Sequence, residues 1–151
     1  MAVHLYDEQD VEVDADDLVA LARHVLVAQR VPADMELGLL LVDRDAIAAL
    51  NTEHMGKDGP TDVLAFPIDE PGEAPPGPPA ILGDVVLCPA VAHEQAPSFG
   101  RTGADEARML VVHGILHLLG MDHADPAGEA EMFGLTDRLL TSHGPAPGGE
   151  R

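Results

Sequence analysis

The chain has 151 residues, of which 46% are hydrophobic and 23% are charged. This length and balance fit one soluble globular domain and exclude a disordered chain. Twenty-seven acidic against eight basic side chains leave a formal net charge of −19, which repels polyanions and weakens binding that relies on counterion release. Any nucleic-acid substrate must therefore be held by a local site or delivered by a partner protein.

The N-terminal stretch MAVHLYDEQD lacks the basic and apolar regions of a signal peptide. No apolar run approaches the ~20 residues that a membrane span needs. Cys88 is the only cysteine, which fits a reducing compartment. We therefore expect a cytoplasmic protein that does not associate with a membrane.

The N-terminal part of the chain predicts two strands, each followed by a helix. Residues 3–13 are apolar in places and predict an edge strand, after which Asp14 is the expected N-cap of a helix. Residues 36–42 (ELGLLLV) are almost wholly apolar, as in a strand buried on both faces. Asp43 then caps a second predicted helix.

Two further strands are predicted on either side of a loop rich in proline and glycine. Residues 62–68 (DVLAFPI) predict a strand in which Pro67 places the end at an edge or a bulge. Residues 69–80 (DEPGEAPPGPPA) are expected to form a flexible surface loop. Residues 81–88 (ILGDVVLC) predict the fourth strand, and residues 89–95 a short helix.

The C-terminal part of the chain predicts two helices. Thr102 begins a T-x-x-D capping motif, and the apolar helix after it is expected to run to Leu119. Asp125 and Pro126 are a favourable N-cap and first-turn pair for a last helix.

The order of these elements predicts the fold class. We expect an α+β protein with a single domain over residues 1–143 and one mixed sheet of about four strands covered by helices. Residues 144–151 (GPAPGGER) are expected to form a flexible tail.

Two histidines interrupt the helix that is predicted to be the most buried. Among residues 109–119 (MLVVHGILHLL), His113 and His117 are four positions apart, so their rings lie on one face of the helix. Buried imidazoles need partners, and a shared metal ion provides one. Gly120 is expected to end the helix in a left-handed turn that brings His123 back toward the other two.

Three imidazoles around zinc leave a fourth tetrahedral position open, which is typical of a catalytic site. Such a zinc activates water and polarises the bond under attack. The pattern therefore predicts a hydrolase of an ester, an amide or a phosphodiester, and the spacing does not choose among them. The remaining histidines show no comparable pattern and are expected to be structural or solvated: His4, His24, His54, His93 and His143.

Gly114 discriminates between classes of hydrolase. The spacing of the histidines matches the H-E-x-x-H-x-x-G-x-x-H pattern of metzincin proteases, in which the glutamate is the general base. Glycine in its place argues against that mechanism. Mid-helix glycine costs ~1 kcal/mol relative to alanine, so we expect either a close approach of another backbone or of substrate, or loose packing of the helix.

Four sequence blocks resemble the YbeY family of bacterial rRNA-maturation endoribonucleases. Residues 113–123 (HGILHLLGMDH) look like the family's H-G-x-L-H-L-x-G-y-D-H signature. Residues 59–67 (GPTDVLAFP) are similar to its P-T-D-V-L-S-F-P strand, with Ala65 where serine is usual. Residues 82–89 (LGDVVLCP) resemble its L-G-D-I strand, and residues 131–133 (EMF) its E-M-F block.

The resemblance implies a zincin-like, metalloprotease-like fold and a single-strand-specific endoribonuclease that depends on one zinc ion per chain. It carries His113, His117 and His123 over as the metal ligands. The implied substrate is precursor 16S rRNA, in maturation of its 3′ end and in ribosome quality control. Ribosomal proteins or a ribosome-associated GTPase are the implied partners.

The catalytic residues are less well defined than the metal ligands. Many family members carry an arginine where Met55 stands here, and Lys57 is a candidate substitute that would act on phosphate as a point charge. Asp62 and Asp122 are candidates for the general base, and Asp122 also for a hydrogen-bond acceptor behind a ligand histidine. Two alternatives stay open: a zinc-dependent hydrolase of peptides or small esters, and a non-catalytic ribosome assembly factor with a structural metal.

Overall fold

The structure is a computed structural model that describes residues 2–69, 80–121 and 125–144. Its four strands form one mixed sheet in the order β1-β2-β4-β3. The strands are β1 (Ala2–Glu8), β2 (Glu36–Val42), β3 (Val63–Pro67) and β4 (Ile81–Leu87). β2 is parallel to both β1 and β4, whereas β3 runs antiparallel to β4 at the edge of the sheet.

Five α-helices and one 3₁₀ turn complete the described part of the chain. The helices are α1 (Ala15–Ala28), α2 (Arg44–Met55), α3 (Pro89–Gln95), α4 (Gly103–Leu118) and α5 (Pro126–His143), and the turn is Ala96–Phe99. Side-chain oxygens cap four helix N-termini by accepting a backbone N–H three residues on, and they belong to Asp14, Asp43, Thr102 and Asp125. All four predicted caps are confirmed, and so is the α+β fold class with a four-stranded sheet.

The sheet buries its two faces to different extents. Leu37, Leu39 and Leu41 of β2 are fully buried on one face, in the main core beneath α1, α4 and α5. The other face carries a smaller cluster that includes Val42 and Ile47, beneath α2 and α3. The nearly continuous apolar sequence of β2 therefore reflects burial on both faces, as predicted.

Four predicted elements have different bounds in the structure. β4 ends at Leu87 instead of Cys88, and α4 ends at Leu118 instead of Leu119. The strand expected over residues 3–13 ends at Glu8, after which Gln9 bonds through its side chain to the backbone of Val11 and so leaves the extended ladder. The Gln9 side chain thus competes with strand pairing. β3 is one residue shorter at each end than residues 62–68, although Asp62 and Ile68 each keep one backbone hydrogen bond to the neighbouring strand segment, with Cys88 and Leu82.

Some sequence predictions fall outside the described residues. These are most of the proline-rich loop (residues 70–79), most of the tail (residues 145–151), and Asp122 and His123. The two ends of the loop are nevertheless held together, because Asp69 and Ile81 exchange a backbone and a side-chain hydrogen bond of 2.9 Å each. In the part of the chain that the structure describes, no helix is long and apolar enough to cross a membrane.

Candidate active site

Helix α4 presents His113 and His117 to a cavity at the edge of the sheet. The cavity has a volume of about 670 Å³ and lies between α4, β3 and the segment that joins α2 to β3. His113 is 8% exposed and His117 is partly exposed. The residues that line the cavity are Asn51, Met55, Lys57, Thr61, Asp62, Val63, Leu64, Ala65, Leu110, His113, Gly114 and His117.

Helix α4 ends in a left-handed glycine turn, as predicted. Gly120 has a φ of +93°, and its N–H donates to the carbonyl of His117 at 3.0 Å. The N–H of Met121 donates to the carbonyl of Leu116, also at 3.0 Å. This pair of hydrogen bonds is the Schellman motif, in which glycine supplies the left-handed residue. The turn leads directly into residues 122–124.

The described histidines fit a metal site in donor type and direction. His113 and His117 lie one turn apart, face the same cavity and offer imidazole nitrogens, which zinc accepts as ligands. Within residues 2–69, 80–121 and 125–144, no group of three metal-ligating side chains comes together. The predicted third ligand, His123, lies outside those residues, so the three-histidine set stays a prediction.

Gly114 allows α4 to pack closely against the sheet. A Cβ atom at this position would lie 2.6 Å from Val85 Cγ1, 3.1 Å from Val85 Cγ2 and 3.4 Å from Val63 Cγ2. The glycine is thus explained by side chains of β3 and β4. Neither loose packing nor the approach of another backbone accounts for it. A glutamate here would be directed into the sheet, which adds to the sequence argument against a metzincin mechanism.

Asp62 is fixed by a chain of polar contacts. Its Oδ1 accepts the N–H of Val63, and its Oδ2 accepts a hydrogen bond of 2.9 Å from the Gln95 side-chain amide. The same amide donates at 2.8 Å to Glu106, which is fully buried and also accepts from Arg101 at 2.8 Å. These contacts join the start of β3 to α3 and α4. Asp62 as a general base stays a prediction.

The segment after α2 forms the opposite wall of the cavity. Met55 and Lys57 are both exposed and both line it. Among the lining residues that the structure describes, Lys57 is the one lysine or arginine. The buried Asn51 holds this segment in place, because its Nδ2 donates to the Gly59 carbonyl at 3.0 Å.

Three residues of this site were missed by sequence reasoning. Asn51 and Gln95 are polar side chains in helices, and asparagine inside a helix is a weak signal because it is a poor helix former. Phe133 of α5 lies with its ring centroid 5.0 Å from that of His113. It belongs to the E-M-F block, but only the tertiary structure brings it beside the histidine.

Comparison with known proteins places the chain in a family. The family model for endoribonuclease YbeY matches residues 4–144, which is nearly the whole chain. The chain belongs to the endoribonuclease YbeY family. Membership supports endoribonuclease activity, that is, hydrolysis of RNA at bonds within the strand. It also confirms the family that the four sequence blocks indicate.

Individual relatives agree with this membership. The chain is 52% identical to endoribonuclease YbeY of Salinispora tropica over 94% of this chain and 96% of that protein. It is 50% identical to that of Acidothermus cellulolyticus over 94% of this chain and 91% of the relative. The solution structure of TM1509 from Thermotoga maritima is 27% identical, with a TM-score of 0.60 over 99% of both chains.

Proposed function

We propose that the protein is a zinc-dependent endoribonuclease of the cytoplasm that cleaves single-stranded RNA in maturation of the 16S rRNA 3′ end and in ribosome quality control. The observation that carries this proposal is the placement of His113 and His117 on one wall of a single cavity, in a chain that belongs to the endoribonuclease YbeY family.

His113, His117 and His123 would hold the zinc ion. When bound, zinc supplies Lewis-acid activation of water and of the phosphodiester. The chain itself supplies the surroundings: α4 orients the two described imidazoles, and the close contact of Gly114 with Val85 sets their distance from the sheet. The buried position of His113 keeps water from that ring except on the cavity side.

Lys57 is proposed to bind substrate phosphate. Met55 stands where the resemblance leads us to expect an arginine, and Lys57 is the cation that lines the cavity. An ammonium group acts as a point charge and lacks the bidentate fork of a guanidinium. We therefore propose that Lys57 stabilises charge on the phosphate without fixing its orientation. Asp62 and Asp122 remain the candidates for accepting the proton of the attacking water.

The size of the cavity and the charge of the chain favour a small RNA footprint. A volume of about 670 Å³ lies within the range of ~300–1,000 Å³ that is usual for small-ligand pockets. The net charge of −19 opposes long-range attraction to RNA. We propose that ribosomal proteins or a ribosome-associated GTPase deliver the precursor rRNA, and that the cavity binds only the nucleotides around the cleaved bond.

Metal analysis tests the site independently of activity. We expect one equivalent of zinc in the purified wild-type protein and a loss of zinc in His117→Ala. His4→Ala is the matched control, since His4 lies on β1 and contacts Glu36 at 2.9 Å, away from the cavity. Equal zinc content in all three proteins would contradict the site.

Cleavage of RNA tests the reaction. Zinc-loaded wild-type protein and His4→Ala are expected to cut single-stranded 16S precursor RNA and to leave a peptide library intact, whereas His113→Ala is expected to be inactive. Peptide or ester hydrolysis by the wild type would favour a different hydrolase. Ribosome association with full zinc content and no RNA cleavage would favour a non-catalytic assembly factor.

A further inference from the structure

Strand β3 has one open edge, and that edge borders the cavity. β3 pairs with β4 on one side, and it is the last strand in the sheet order. Val63 and Ala65 pack toward the main core under α4, whereas Leu64 packs toward the smaller cluster on the opposite face. All three residues line the cavity. Since residues of both faces line it, the cavity lies along the edge of the strand itself.

The hydrogen bonds at the two ends of β3 show which backbone groups point outward. The N–H of Cys88 donates to the Asp62 carbonyl at 2.9 Å, and the N–H of Ile68 donates to the Leu82 carbonyl at 3.0 Å. The pairing between these ends has no register shift. Because alternate residues of an antiparallel strand bond to the same neighbour, Leu64 also bonds to β4, and Ala65 points its N–H and its carbonyl away from it.

Ala65 supplies the one free donor of this edge within the described residues. The outward N–H of Val63 is already bonded to Asp62 Oδ1 at 2.8 Å. Pro67, the next outward residue, has no N–H. Ala65 lies between them with a side chain of a single methyl group, which leaves the approach to its N–H open. The cavity wall that faces His113 and His117 therefore carries an uncharged, rigidly held donor.

We propose that the Ala65 N–H binds a non-bridging phosphate oxygen of the RNA strand in the cavity, so that the edge of β3 positions the substrate beside the histidines. This inference rests on the proposed endoribonuclease function. Backbone N–H groups are common ligands of nucleic-acid phosphates, and a donor fixed in a sheet needs no reorganisation as charge develops on the phosphate. Lys57 is the one lysine or arginine on the described lining, and an uncharged donor supplies orientation that a flexible ammonium group does not.

Amide hydrogen exchange tests the geometry and the binding in one protein. In the zinc-loaded wild type, the Ala65 amide is expected to exchange at least about tenfold faster than those of Leu64 and Phe66, which bond to β4. Addition of a single-stranded RNA oligonucleotide covering the 3′ end of 16S rRNA is expected to slow exchange at Ala65. An Ala65 amide that is already as protected as its neighbours, or that is unchanged by saturating RNA, would overturn the proposal.

An amide-to-ester replacement tests the contribution to cleavage. Lactic acid at position 65 keeps the methyl group, replaces the N–H with an ester oxygen and makes the Leu64 carbonyl a weaker acceptor. We expect kcat/KM to fall about tenfold to a hundredfold, as for loss of a hydrogen bond to a charged group. His4→Ala lies on β1, away from the cavity, and is the control, with kcat/KM expected within about threefold of wild type. Zinc content is expected to stay unchanged in both. Tm is expected to fall slightly in the ester variant alone, because the ester carbonyl of Leu64 accepts more weakly from β4.

The two proposals fail in different ways. Wild-type protein that binds zinc but does not cleave RNA would overturn the proposed function, and this inference with it. Wild type and ester variant that cleave equally well would overturn the role of the Ala65 N–H alone. If the ester variant does not fold, the exchange measurement on the wild type decides.

Discussion

Replacing Gly114 with alanine adds one methyl group at the closest contact between α4 and the sheet. The new Cβ would lie 2.6 Å from Cγ1 of Val85, a fully buried residue of β4. Val85 is β-branched and has β2 and β3 on either side, so its side chain has little room to move. Overpacking of this kind lowers the stability of the fold by about 1–3 kcal/mol, whereas the higher helix propensity of alanine raises it by about 1 kcal/mol. We expect Gly114→Ala to lower the free energy of unfolding by about 1 kcal/mol.

Gly134 provides a matched control inside another helix. Among the described residues, a Cβ atom there would meet only Nη1 of Arg138, at 3.5 Å, which is the end of a flexible side chain. Gly134→Ala should therefore show the propensity gain alone and raise stability by about 1 kcal/mol. Urea unfolding of the wild type and both variants, in the presence of a chelator, measures their free energies of unfolding. We expect the two variants to differ from each other by about 2 kcal/mol.

The comparison is decisive because both variants make the same chemical change. If Gly114→Ala raises stability as much as Gly134→Ala does, α4 does not lie close enough to Val85 for a Cβ atom to clash with it. The packing explanation for Gly114 would then be wrong. A loss of stability in both variants would instead indicate that the propensity argument fails for these helices.

Other parts of the fold make similarly direct predictions. Arg108→Ala should destabilise the fold by about 1–3 kcal/mol in urea unfolding, because it removes the 3.0 Å contact to the buried Asp17 and leaves that carboxylate with His143, at 3.6 Å, as its partner. Asp17→Leu combined with Arg108→Met should recover most of that loss. Asn51→Ala removes the donor to the Gly59 carbonyl, so we expect a loss of about 1–2 kcal/mol together with a raised KM for RNA. Thr102→Ala should lower Tm by the equivalent of about 1 kcal/mol through loss of the helix cap, and calorimetry of Thr102→Asp, which keeps an acceptor, should give a Tm near that of the wild type.

Local signals in the sequence predicted most of the secondary structure. The caps at Asp14, Asp43, Thr102 and Asp125 are each confirmed, because N-capping is a contact between residues three apart and needs no tertiary partner. The strand at residues 36–42 was predicted with its observed bounds. The predicted end of β1 was wrong. No local feature of the sequence distinguished the residues that pair with β2 from those in the turn around Gln9.

Local sequence signals also predicted part of the candidate site. The spacing of His113 and His117 is enough to place both rings on one helical face, and Gly120 is enough to predict the turn after them. Four sequence blocks then indicated the family that the comparisons confirm. The zinc, the RNA substrate, the roles of Lys57, Asp62 and Asp122, and the third histidine stay predictions.

By itself, the sequence determined the α+β class, the N-terminal ends of the helices and the two histidines of α4, because each depends on contacts within a few residues. Only the tertiary structure decided that Gly114 faces Val85, that Gln95 and Glu106 support Asp62, and that the free edge of β3 borders the same cavity as the histidines. These contacts join residues that are far apart in the chain. Their geometry depends on the order and register of the strands, which no local pattern specifies.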